Sequence, residues 1–404
     1  MHAEPINKRF LLIGIGGVYN YGCEAIVRGT TALLQRQWPN SKVFYASPRC
    51  EQDAKQLSDI DVEVIPREMI GRYSLPSIAN KLTRMLGYSA YVRRDKLRMA
   101  NSVDAVLSIG GDLYTIYASG NYPGSLIKYG DAVLANGKPY VLWGSSIGPF
   151  SARPDVERLV TRHLKRTTLI TVRDVSTLEY LDSLGIEANV VPTADPAFAV
   201  APEIKTSPPG PEQTKIAINL SPLSIRYSKQ TRDEAVNQSA TAIEKIVERL
   251  NCHILLTPHV VLKSMPTDDD LAFLSEIQRQ LSASTQSRTE LLPGDVGFIE
   301  TKRQLANCSA VVAARMHCAI SAMSAAVPTL LLAYSKKAIG MGKYVYRSDA
   351  HVQPVNNFGD EHFLDELSDM IDNRSQICRF LLERSEQIQA DADRAVKQLA
   401  TALA

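Results

Sequence analysis

Ala105-Val106-Leu107-Ser108-Ile109-Gly110-Gly111-Asp112 is a short apolar run that stops abruptly at paired glycines and an acid. A run of this length, rich in Val, Ile and Leu and closed by glycine, reads as a strand buried on both faces, as a parallel sheet requires. Working outward, the same unit recurs. Residues 10–17 form a strand candidate that enters a glycine loop, and helical periodicity follows from about Gly22 to Gln37, until Trp38-Pro39 ends it. Further strands are expected at 43–46, 62–65, 140–143 and 169–172, with a helix over 154–165 between the last two. Ser176 and Glu179 have capping-box spacing, Leu178, Leu181 and Leu184 supply a buried stripe, and Gly185 a stop. Arg173 is thereby placed at the carboxyl end of a strand, the edge at which open α/β sheets bind ligands.

Residues 201–214 carry four prolines (Pro202, Pro208, Pro209, Pro211) and almost no apolar side chain, the composition of a linker. Beyond it the pattern restarts, with strands at 215–220, 253–256, 310–313 and 329–333 and helices at 233–250, 270–281 and after His317. The reading is an α/β protein of two Rossmann-like domains with an interdomain cleft: 1–203, a linker at 204–214, 215–359, and a helical tail at 360–404.

Composition narrows the function classes. Of 404 residues, 45 are Lys or Arg and 43 Asp or Glu, a formal charge of +2, which argues against a nucleic-acid partner held by bulk charge. A hydrophobic content of 45% with 22% charged residues excludes global disorder. The six cysteines are scattered without CxxC or zinc spacing, so buried, reduced thiols and no metal site are expected. Residues 1–17 lack the features of a secretory signal, and the most membrane-like stretch, 316–334, is broken by His317 and Pro328. A cytoplasmic protein with at most peripheral membrane contact is expected. The run from Lys81 to Arg98 is locally basic and is a candidate for contact with an anionic acceptor or the inner membrane face.

Several strand-end loops can carry chemistry. Gly14 to Gly22 lacks the full dinucleotide fingerprint, because Tyr19 stands where a third glycine belongs. Asn20 and Gly22 still open a helix whose free N–H groups suit an anion or a hydroxyl-rich ligand. Asp112, after Gly110 and Gly111, can accept a proton or hold a sugar hydroxyl. The loop from Ser145 to Pro149 offers hydroxyls. Arg315 and His317 follow a strand of small apolar residues; with Arg315 extended, both project to one side and suit a phosphorylated or carboxylated ligand. Lys336 or Lys337 can reach the same edge from the next strand. His259 ends another predicted strand, where either a ligand contact or a structural role fits; Asp195-Pro196 reads as a turn, with Asp195 equally able to line the cleft.

Taken in order, Asn20-x-Gly22-x-Glu24-Ala25-Ile26, Gly110-Gly111-Asp112, Ser145-x-x-Gly148-Pro149, Val172-Arg173-Asp174-x-Ser176, Asp195-Pro196-Ala197-Phe198, Pro258-His259, Arg315-Met316-His317 and Tyr334-x-x-Lys337 resemble the polysaccharide pyruvyl transferase family over residues 10–345. Cys23 stands where many members have Asp, and Asp112 where some have a third glycine, the latter resembling the colanic-acid-type branch. The resemblance implies a fold similar to the GT-B glycosyltransferases and transfer of pyruvate from phosphoenolpyruvate to a saccharide acceptor, lipid-linked or free, as a cyclic ketal. It implies no cofactor and no metal, since phosphoenolpyruvate is the donor substrate. Arg173, Arg315 and Lys337 are the implied donor-binding cations, His317 the acid, Asp112 the base or acceptor ligand, and Asn20, Gly22, Gly110 and Gly111 the acceptor or phosphate loops, with His259 and Ser145 as further candidates. Two rivals remain: a nucleotide-sugar glycosyltransferase of the same architecture, and a non-catalytic glycan- or anion-binding protein.

Overall fold

The computed structural model describes residues 7–67, 97–117, 120–200, 214–226, 230–334 and 336–404. The expected linker at 204–214 lies outside them except for Thr214, and so does the basic run before Leu97 and Arg98.

In chain order the elements begin with β1 (Arg9–Ile13), α1 (Tyr21–Gln37), β2 (Lys42–Ser47), α2 (Cys50–Gln56), β3 (Glu63–Pro66), α3 (Arg98–Asn101), β4 (Ala105–Ile109), α4 (Gly124–Ala135) and β5 (Tyr140–Ser145). There follow α5 (Pro154–Leu164), β6 (Leu169–Val172), α6 (Val175–Ser183) and β7 (Val190–Pro192). The later part comprises β8 (Lys215–Asn219), α7 (Arg232–Leu250), β9 (His253–Leu256), α8 (Asp270–Gln280), α9 (Ala283–Gln286), β10 (Thr289–Leu291), α10 (Gly297–Ala306) and β11 (Ala310–Ala313). It ends with α11 (Met316–Ser324), β12 (Thr329–Ala333), α12 (Lys336–Tyr346), β13 (Val352–Pro354), α13 (Glu361–Asp372) and α14 (Arg374–Ala402).

Among the described residues the strands form two sheets, ordered β3-β2-β1-β4-β5-β6-β7 and β10-β9-β8-β11-β12-β13, parallel throughout. Leu12 sits in register with Tyr45 on one side and Leu107 on the other. Buried Val, Ile and Leu cover the sheet faces because helices pack on both, which is why these strands read as continuous apolar runs. One core gathers Leu11, Val106, Leu142 and Ile170 with Val156 and Val160 of α5. The other gathers Ile216, Ile254, Val312 and Leu330 with Ile243 of α7 and Phe363 of α13.

The chain divides into two compact units. The first comprises Met1–Gly17, Ile26–Pro196 and Asp391–Ala404; the second comprises Val18–Ala25 and Ala197–Ala390. The start of α1 thus counts with the second sheet and the end of α14 with the first, neither of which follows from chain order. In the first unit, Asp393 of α14 pairs with Arg36 at 2.8 Å.

Some local expectations change. β1 ends at Ile13, not Gly17, because the backbone turns at Gly14 (φ +118°). The helix after Arg173 is not capped by Ser176: Asp174 is the cap, its carboxylate accepting from Thr177 N at 2.8 Å and from Ser176 Oγ at 2.7 Å, so Ser176 lies inside the first turn. Ser145 is the last residue of β5, paired with Val172, and not part of a loop. Cys252, Cys308 and Cys318 are buried as expected, whereas Cys23, Cys50 and Cys378 are half-buried.

Candidate functional site

Where strand order reverses in an open parallel sheet, the flanking connections leave on opposite faces and open a crevice at the carboxyl edge. In the first sheet this point lies between β1 and β4. The loop after β4 starts with Gly110 at φ +125°, a conformation open to glycine, and continues with Gly111 directly against Arg173. A β-carbon on Gly111 would overlap the guanidinium.

Arg173 follows β6 and is buried. Its Nε donates to Ser146 Oγ at 3.1 Å, Nη1 donates to Asp195, and Nη2 makes a long contact of 3.5 Å with Asp112 Oδ1. Burial alone would favour the neutral form, but Asp195 and Asp112 outweigh it and hold the guanidinium pKa above its ordinary value. The two carboxylates differ: the Asp195 side chain is 0% exposed and that of Asp112 57%. Asp195 locks one edge of the fork while Asp112 faces solvent. Beside them the buried Ser145 hydroxyl has no hydrogen-bond partner among the described residues.

In the second sheet the reversal lies between β8 and β11. Asn219, at the end of β8, bridges the strand ends: its Nδ2 donates to Thr257 O at 2.8 Å and its Oδ1 accepts from Arg315 N at 2.8 Å. Arg315 is extended (φ −84°, ψ 123°) and α11 begins immediately after it, so strand alternation cannot be carried across to His317. The two side chains accordingly take different directions. The Arg315 guanidinium turns to Asp270 (Nη2 to Oδ1 2.8 Å, Nε to both oxygens 3.2 Å) and to Asp268 Oδ1 at 2.9 Å. Again one partner is sealed and one accessible, with Asp270 0% and Asp268 28% exposed. Asp270 Oδ2 also accepts from the backbone N–H groups of His259 and Val260 at 3.1 and 3.0 Å. Burial raises the Asp270 pKa above the usual carboxylate value against the opposing pull of Arg315.

His317, in the first turn of α11, packs against Gly22. A β-carbon on Gly22 would stand 2.5 Å from His317 Nδ1 and 2.9 Å from its Cβ, so the contact requires glycine. Backbone contacts seat this segment: Tyr21 N donates to His259 O at 2.9 Å, and Asn20 bridges to Val260. Asn20 Oδ1 accepts from Gly22 N at 2.9 Å. Tyr21 OH donates to Gly294 O at 2.8 Å, and buried Glu24 accepts from Phe298 N at 3.0 Å, near the start of α10. His259 is buried between the Tyr21 and Phe298 rings, edge-on to both, and neither ring nitrogen has a hydrogen-bond partner among the described residues. Burial first, then the charges of His317 and Arg315, push its pKa well below the ordinary histidine value.

The residues selected from the sequence therefore form two clusters. Gly110, Gly111, Asp112, Ser145 and Arg173 meet in the first unit; Asn20, Gly22, His259, Arg315 and His317 meet in the second. Lys337 lies in the first turn of α12, after β12. Sequence reasoning missed Asn219, Asp268 and Asp270. The run Asp268-Asp269-Asp270 before an amphipathic segment signals a helix cap, which Asp269 provides, and the cap masks the role of its neighbours. Among the described residues no group of three or more His, Cys, Asp or Glu side chains is placed to hold a metal, and no helix is long and apolar enough to cross a membrane.

A family model described as polysaccharide pyruvyl transferase matches residues 20–336, from Asn20 to one residue short of Lys337. No curated protein sequence matches the chain. Among solved structures, the UDP-GlcNAc 2-epimerase of Neisseria meningitidis bound to UDP-GlcNAc is similar at TM-score 0.60, with 13% identity over 96% of this chain and 98% of that one. A protein from Anabaena in complex with UDP and glucose gives 0.58, with 13% identity over 98% and 99%. A calicheamicin glycosyltransferase gives 0.52, with 12% identity over 98% of each chain. At such identities the likeness establishes the fold: two α/β domains of GT-B type.

Proposed function

The chain belongs to the polysaccharide pyruvyl transferase family, and from that membership we propose that it transfers the pyruvyl group of phosphoenolpyruvate to two hydroxyls of one sugar, forming a cyclic ketal. The acceptor in this reading is an exopolysaccharide or cell-wall glycan precursor of the colanic-acid-type branch, met in the cytoplasm at the inner face of the membrane. The observation that carries the reading is the packing of His317 on Gly22 at the strand-order reversal of the second sheet, with Arg315 held at the same strand ends by Asp270, whose carboxylate also accepts from His259 N.

The chemistry sets requirements that these residues can meet. His317 protonates the methylene carbon, leaving an oxocarbenium-like centre; a sugar hydroxyl attacks it and gives its proton to Asp112. Phosphate leaves with the bonding electron pair, and the second hydroxyl closes the ring. Of the two hydroxyl protons, one balances the new methyl group and the other leaves with inorganic phosphate. The donor's carboxylate and phosphate need cations, and Arg173 and Arg315 are suited through their asymmetric pairing. Asp195 and Asp270 hold each fork in place, while the more exposed Asp112 and Asp268 can be displaced by the donor. Displacement would also release Asp112 to act as base. Lys337 adds a third positive charge.

The rival reading, a nucleotide-sugar glycosyltransferase, draws on the UDP-bound structural neighbours. One assay separates them. Acceptor-dependent phosphate release from phosphoenolpyruvate, with a ketal methyl signal in the product, supports pyruvyl transfer. Turnover of a UDP-sugar without phosphoenolpyruvate overturns it. If His317→Ala and Arg315→Ala fold yet leave glycan modification unchanged in cells, a binding-only role replaces both.

A further inference from the structure

Helix α5 buries Val156, Val160, His163 and Leu164 and turns the opposite face to solvent. That face is basic. Arg158 and Arg162 are exposed one turn apart, Lys165 and Arg166 are exposed where the helix ends, and all four line a shallow groove together with Glu157, Thr161 and Leu184. The stripe from Arg158 to Arg166 is about 12 Å long at helical rise. Nearby acids are already engaged: Glu157 accepts from Tyr180 OH at 2.7 Å, and Asp131 accepts from His163 at 2.9 Å and from Arg166 at 3.5 Å. Arg158, Arg162 and Lys165 have no carboxylate within ion-pairing distance among the described residues. Cations in a last turn complement the helix dipole, which accounts for Arg162 and Lys165 but not for Arg158 in mid-helix. In a chain of net charge +2, this is a local concentration of one sign.

We propose that this face docks the protein on an anionic phospholipid surface. A single soluble anion would need donors converging on one point. Here the charged heads spread along an open face, and such a row matches several headgroups in a plane. The inference goes beyond pyruvyl transfer and does not depend on it, because binding is measured without donor or acceptor.

The test is flotation of the full chain with vesicles of phosphatidylglycerol and phosphatidylcholine, against phosphatidylcholine alone. Binding should require the anionic lipid and weaken as salt rises. At roughly fivefold per cation, the variant Arg158→Gln/Arg162→Gln/Lys165→Gln should bind about 100-fold more weakly. Its far-UV circular dichroism and melting should match the parent, and single Gln variants should show graded losses. Equal partitioning onto neutral and anionic vesicles overturns the proposal, as does a folded triple variant that binds like the parent. Binding to inorganic polyphosphate that the triple variant loses, with no vesicle binding by the parent, overturns it in favour of a soluble polyanion.

Discussion

The imidazole of His317 lies on Gly22 so closely that a β-carbon there would stand 2.5 Å from Nδ1. The first turn of α1 and the first turn of α11 are thereby brought into direct contact, and the presence of glycine at position 22 has a steric cause. Gly22→Ala should abolish most transfer activity while leaving the fold intact, because it displaces the proposed acid. The stability cost of Gly22→Ala should be largely relieved in Gly22→Ala/His317→Ala. Thermal melts of the four proteins in the cycle measure this coupling, and additive losses would show that the contact is not what position 22 protects.

Asp195 and Asp112 flank the same guanidinium but should behave differently when neutralised. Asp195→Asn removes the sealed carboxylate partner of the buried Arg173 and should cost about 3–5 kcal/mol in denaturant unfolding. Asp112→Asn should cost under about 1 kcal/mol, since an exposed pair contributes little, yet it should cut turnover sharply. Comparable stability losses in the two variants would contradict the asymmetric pairing.

His259 makes a prediction about acid. Its folded-state pKa is depressed by burial, so below its unfolded value of roughly 6.5 the unfolded chain binds a proton that the folded chain refuses. The histidine contribution to stability is therefore intact above that pH and falls as pH drops, by at most about 1.4 kcal/mol per unit until the folded group protonates. His259→Phe, which keeps a ring between Tyr21 and Phe298, should lose less stability than the parent between neutral pH and pH ~5. Parallel stability curves would place the protonation elsewhere.

Lys302 is buried, with its Nζ donating to Val200 O at 2.7 Å and lying 5.9 Å from the Phe298 ring centre. Burial lowers its pKa from 10.5 to about 7. Between those values the unfolded state carries a proton that the folded state has shed, so stability should rise with pH over that interval. Lys302→Met should remove the rise and be the more stable protein at pH ~7. Urea unfolding of both proteins across this range decides the matter.

How far the sequence reached depended on burial. The central strands Ala105–Ile109, Leu169–Val172, His253–Leu256, Ala310–Ala313 and Thr329–Ala333 are legible to the residue because burial on both faces forces a continuous apolar run. β7, β10 and β13 escape that reading: they are three-residue edge strands, half-covered, with no run long enough to stand out. Asp270 escapes for another reason, since a carboxylate ahead of a helix has a sufficient local explanation in capping, and its pairing with Arg315 spans 45 positions.

Local periodicity and hydrophobic burial were enough to read from the chain the α/β class, the buried central strands and the positions of Asp112, Arg173, Arg315 and His317 just after strands. What each of those side chains touches was set by the folded arrangement. It turned Arg173 to Asp195 and Arg315 to Asp270, put His317 on Gly22 and left the His259 ring nitrogens without a hydrogen-bond partner among the described residues. Such pairings depend on which strand ends become neighbours once strand order reverses within each sheet, a relation between distant segments that no local pattern carries.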